Sequence, residues 1–159
     1  PYGYGGTPER QMLGAWFTTL VYPTGLPEGD LLLITRTEVD SAGPYVVGRL
    51  YPDNALIIGE RISIPGNRNN FVWFIELNST QDAVYIGELS LTGISGNYAV
   101  MPRGAPIPSR PDAFTFGARL AGPGSIAQAL APRDAGVTDA AMDELGKRRA
   151  VLGSRSGAQ

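Results

Sequence analysis

The stretch Phe71-Val72-Trp73-Phe74-Ile75-Glu76-Leu77, the polar run Asn78-Ser79-Thr80-Gln81-Asp82 and the stretch Ala83-Val84-Tyr85-Ile86-Gly87-Glu88-Leu89 decide the fold of this chain. Both flanks are built from β-branched and aromatic residues that suit a pleated surface, and the run between them is made of turn formers. That is a β-hairpin, with large apolar side chains on both of its faces. The same grammar extends outward in both directions. Strands are predicted over residues 11–22, 31–39, 45–51, 55–64, 71–78, 83–92 and 97–101, separated by Asp40-Ser41-Ala42-Gly43-Pro44, Pro52-Asp53-Asn54, a segment from Pro65 to Asn70 and Gly93-Ile94-Ser95-Gly96. Short connections imply antiparallel neighbours, so the chain is expected to be all-β: a meander of seven to eight strands that closes as an up-and-down barrel or folds over as a sandwich.

Composition shifts after Met101. Residues 102–132 hold six prolines, which remove amide donors and favour extended backbone. This part is read as an arm, within which residues 113–120 alternate like a strand and suit either an eighth strand or an addition to a neighbour's sheet edge. Ser125 and Gln128 have capping-box spacing for a short helix ended by Pro132, and Thr138 can cap a second helix running to about Leu152. The resulting organisation is a flexible segment over 1–10, a β domain over 11–101, the arm over 102–132, and a short helix and tail over 133–159.

The 159 residues suffice for one ordinary domain with an appendage. Neither cysteine nor histidine occurs, which excludes disulfides, thiolate and imidazole metal sites, cysteine nucleophiles and any triad with an imidazole base. No metal site, cofactor or catalytic residue is expected. Residues 1–101 carry five basic and ten acidic side chains, and the remainder carries eight basic and five acidic. An acidic folded part repels phosphate backbones, so nucleic acid is not an expected partner. No run of 18 apolar residues could insert in a membrane as a helix. Glu60, Glu76 and Glu88 are the in-strand carboxylates available for acid-base hydrolysis, but alternation sends Glu76 to the opposite face from the other two. Asn78-Ser79-Thr80 has the form of a glycan acceptor and also of an ordinary turn.

Hairpins symmetric about these turns assign every residue a face. One face carries Leu32, Ile34, Val46, Leu50, Leu56, Ile58 and Trp73, together with Arg36 and Glu38, and is expected to be the core. The other carries Val47, Ile57, Val72, Phe74 and Leu89 around a polar centre of Tyr45, Arg49, Arg61, Glu76, Tyr85 and Tyr98. Leaving four or five of its large side chains in water would forgo about 8 to 12 kcal/mol, so this second face must also be covered. Tyr45, Arg49, Arg61, Phe74, Glu76, Tyr85 and Tyr98 are therefore candidates for contact with a ligand or partner, with Phe114, Phe116, Leu145 and Leu152 as contacts made by the arm.

Gly14-Ala15-Trp16 resembles the Gly-x-Trp opening of lipocalins and of the avidin family. The resemblance covers three residues, and the proline-rich tail departs from both families. It implies a closed antiparallel barrel with an internal ligand, the tryptophan closing one end beside a late-strand arginine, Arg103 or Arg119. Two functional expectations follow. The first is a non-enzymatic structural or assembly subunit that docks onto other protein subunits, of the same or a different chain, through one sheet face and the C-terminal arm. The second is a calycin-like barrel that binds a small polar or acidic ligand.

Overall fold

A computed structural model describes residues 11–21, 27–62, 70–77, 81–102, 105, 113–130, 142–143 and 146. Eight antiparallel strands, each paired with the next, close into one barrel: β1 (Gly14–Val21), β2 (Pro27–Asp40), β3 (Gly43–Tyr51), β4 (Ala55–Ile62), β5 (Phe71–Leu77), β6 (Gln81–Leu89), β7 (Gly93–Pro102) and β8 (Phe114–Gly122). The alternating segment in the proline-rich arm is thus the eighth strand of its own barrel. It lies between β7 and β1 and pairs along the length of β1, so the barrel wall extends past residue 101 to Gly122. Closure removes every sheet edge, which is why a meander of this length prefers it to an open sheet.

Interior and exterior alternate along each strand. The interior cluster includes Trp16, Leu20, Leu32, Ile34, Val46, Leu50, Ile57, Val72, Phe74, Tyr85, Leu89, Ile94, Tyr98 and Phe116. Met12 is buried with them ahead of β1, where its carbonyl accepts the Trp16 indole N–H at 2.9 Å. A second cluster lies on the outside of β3 to β7, with Val47, Ile58, Trp73 and Val84 fully buried and Ala105 and Met142 packed against it. The expectation that both sheet faces are covered therefore holds on these strands.

The assignment of faces needs one correction, and a single turn causes it. Symmetry about Pro52-Asp53-Asn54 puts Leu50 and Leu56 on one face, whereas Leu50 pairs with Ala55 and Arg49 with Leu56. Asn54 has φ 58°, a left-handed conformation that asparagine tolerates, and the chain re-enters the ladder one residue early. A one-residue slip exchanges the faces of everything beyond it. Leu32, Ile34, Val46 and Leu50 are inside as expected, but from β4 onward the supposed core face, with Ile58 and Trp73, is the outside.

A bulge in β2 at Thr35 makes a second local exchange, turning Arg36 and Glu38 outward from the expected core. There they form an ion pair at 2.8 Å. The bulge is tied down from outside. Helix α1 (Gly124–Leu130) packs fully buried Ala127 near Ala15 and Leu33, and Gln128 Nε2 donates to the Thr35 carbonyl at 2.7 Å. Gln128 thus anchors the helix to β2 instead of reaching back to Ser125 as a capping box would. Of the second expected helix, Met142, Asp143 and Gly146 are described and helical, while the rest lies outside the described residues, as do residues 1–10 and Asn78-Ser79-Thr80.

Candidate functional site

The turn between β3 and β4 divides the predicted polar centre. Phe74, Glu76, Tyr85 and Tyr98 point into the barrel, but Tyr45 and Arg49 point out. Tyr45 is buried in the outer cluster, its hydroxyl donating to the Met142 sulfur at 3.6 Å. Arg49 Nη1 donates to the Asn54 carbonyl at 3.2 Å across the turn. Arg61 pairs with Val72, at the opposite end of β5 from Glu76, so about 13 Å of strand separates them. The seven candidates do not form one surface, and Phe74, Tyr85 and Tyr98 offer nothing to a protein partner because the barrel encloses them.

What the structure does bring together is a tyrosine-carboxylate pair within an aromatic cluster. Tyr85 donates from its hydroxyl to Glu76 Oε1 at 2.6 Å. Its ring stacks on Tyr98 at 5.0 Å between centroids and meets Phe116 edge-on at 5.2 Å, and Phe114 lies 5.0 Å from Tyr98. Phe114 and Phe116 are therefore wall residues of β8 facing inward, not arm contacts to a neighbour. The other expected arm residues, Leu145 and Leu152, lie outside the described residues. Burial pushes the Tyr85 hydroxyl well above its usual pKa, and the adjacent Glu76 charge adds to the effect.

Glu76 belongs to a ring of acids at this end of the barrel. Glu28 and Asp30 of β2 and Asp53 of the β3–β4 turn join it around a recess of about 60 Å³ that Asp82 of β6, on the outer side of its strand, also borders. Burial raises the pKa of Glu76, partly offset by the Tyr85 hydrogen bond and reinforced by Asp53 and Glu28. Asp30 is pushed up to about 7, first by burial, then by its hydrogen bond to Glu28 and the surrounding negative charge. A mouth of this kind repels acidic ligands, which bears on the acidic half of the polar or acidic class expected of a carrier and not on the polar half. Beneath it the interior is filled with side chains. The void left among Thr18, Leu32, Leu50, Ile57, Phe74, Tyr85, Ile94, Phe116 and Ala118 measures about 20 Å³, room for roughly one water.

The remaining carboxylates lie outside. Glu60 is fully buried opposite Trp73 in the outer cluster, and Glu88 is exposed on β6, so neither shares the interior with Glu76. Trp16 is inside, as Gly-x-Trp implies, but Arg119 points outward next to Phe17 and does not cover it. Arg103 lies outside the described residues.

A wide concavity lies on the outer wall, a place that strand alternation alone does not mark. About 640 Å³ opens over β6, β7, β8 and β1, bounded by Phe17, Thr19, Glu88, Ser90, Gly93, Ser95, Gly117 and Arg119. Phe17 is 56% exposed at its edge. One row across the wall reads Glu88, Ser95, Gly117, Thr19, and the adjacent row reads Gly93, Arg119, Phe17. The first row has small side chains between Glu88 and the far rim, which makes the hollow. Closure is what sets β1 beside β8, so linear reading could not assemble this face. Comparison with family models, with curated proteins and with solved structures finds no match to this chain.

Proposed function

We propose that the protein is a non-enzymatic assembly module that docks onto another protein subunit through the outer wall formed by β7, β8 and β1. One observation carries this reading: Ala105 and Met142 pack on the outer wall over β3 to β7, while the β7–β8–β1 side carries a concavity of about 640 Å³ beside an exposed Phe17. Exposed aromatics next to hollows are the usual anchors of protein interfaces. Of the C-terminal residues that suggested wrapping of a neighbour, Ala105 and Met142 pack on their own barrel and Phe114–Gly122 is its eighth strand, so docking is assigned to the hollow over β7, β8 and β1. Carriage of a small molecule has less support, since a void of about 20 Å³ admits none without displacing side chains.

A photo-crosslinking residue at position 17, with position 39 as control, tests the reading in the native host. Val39 is 76% exposed and lies far along β2 from the hollow. A discrete protein adduct at 17 and none at 39 is the expected result. Equal labelling at the two positions, or none at either, refutes docking on this face.

A further inference from the structure

We infer that the partner on this wall is a second copy of the same chain, related by a twofold axis that passes near Ala118. The inference rests on the docking reading above and names its occupant. A twofold interface applies one patch to itself, so that patch must hold a knob and a hole, and both signs of charge. This wall holds all four. The knob is Phe17, 56% exposed. The hole is floored by Gly93, Ser95 and Gly117, and an added Cβ at Gly117 would meet nothing within 4 Å. The charges are the exposed Arg119 on β8 and Glu88 on β6, both lining the hollow.

Register fixes how these features superpose. Phe17 pairs with Arg119, and Arg119 with Gly93; Thr19 pairs with Gly117, Gly117 with Ser95, and Ser95 with Glu88. Taking about 4.8 Å between strands and about 3.3 Å per residue along them, Phe17 and Ser95 are roughly 12 Å apart, and their midpoint falls on β8 at Ala118. A twofold axis that lies in the interface plane, over Ala118 and perpendicular to the line from Phe17 to Ser95, lays each Phe17 over the other copy's Ser95 and each Arg119 beside Gly93 and Ile94 of the other copy's β7. From there the other copy's Glu88 is roughly 8 Å away along the wall, which an extended arginine and a glutamate span together. A single wall of this size gives an interface at the smaller end of specific contacts, with a dissociation constant on the order of micromolar.

Sedimentation velocity on the full chain over a concentration series reads the result. The unsubstituted protein should pass from monomer to dimer in the micromolar range. Phe17→Asp and Gly117→Leu should each weaken association at least tenfold, the second by filling a space that the isolated barrel leaves open, so that folding is preserved. Arg119→Glu should do likewise, and Arg119→Glu with Glu88→Arg should recover most of the loss. A dimer indifferent to both Phe17→Asp and Gly117→Leu overturns the inference, because association then occurs elsewhere. Monomer at several hundred micromolar also overturns it. In that case a discrete adduct at position 17 with a different protein leaves the docking reading standing, and no adduct removes both.

Discussion

Asp30 sits where burial and three neighbouring acids oppose its charge. Its pKa in the folded state, about 7, is above the ordinary 3.8 that the unfolded chain restores. Between these values the folded protein holds more protons than the unfolded one, so stability falls as pH rises from about 4 to about 7 and levels off above. Glu76, raised in the same direction, adds to this slope. Asp30 is half-buried and solvent screens it, which reduces the expected loss to roughly 1 kcal/mol, or about 2 to 4 °C in Tm for a domain of this size. Asp30→Asn should flatten the Tm profile between pH 5 and 8 and raise Tm at pH 8. An unchanged slope in that variant would show that other groups carry it.

Between strands, glycine is chosen by what lies across from it. A Cβ on Gly96 of β7 would overlap the Ile86 carbonyl oxygen of β6 and come within 2.6 Å of Gly87 Cα, both backbone atoms that cannot turn aside. Gly96→Ala is expected to cost about 2 to 3 kcal/mol, seen as a lower midpoint in urea, whereas Gly117→Ala, with open space above it, should be neutral or stabilise by a few tenths. The strands themselves were legible in the sequence, since their β-branched and aromatic runs are bounded by Gly, Pro, Asn and Asp. So was the requirement that both sheet faces be buried. The side each residue faces was not, because it depends on whether Leu50 meets Ala55 or Leu56, and a left-handed Asn54 decides that. The Tyr85–Glu76 pair was foreseen as neighbours because β4, β5 and β6 keep their relative faces. Tyr45 and Arg49 were misplaced because they precede the turn. Phe17 gave no signal and Arg119 was expected beside Trp16, since Phe17 and Arg119 come together only through pairing of the first strand with the last.

For the molecule as a whole, the barrel is lined by one apolar face and carries another outside β3 to β7, on which Ala105 and Met142 pack. Met142 packs on the outer cluster and takes the Tyr45 hydroxyl as donor. Removing residues 131–159 keeps all eight strands and α1, but loses about 1 to 2 kcal/mol from half-buried Met142 alone. The truncated protein should melt several degrees lower and bind more of a hydrophobic dye, the excess being reduced on a variant carrying Trp73→Gln. A truncated form that melts as the full chain does would show that the outer cluster is stable when wet.

The ladder between Gly14–Val21 and Phe114–Gly122 joins segments roughly a hundred positions apart, and until it forms, the sheet has two open margins. During synthesis β1 has no mate on that side until about a hundred further residues have emerged. Chain topology therefore makes zipping the last wall segment a late, slow event, and places the hazard of aggregation in the interval before it.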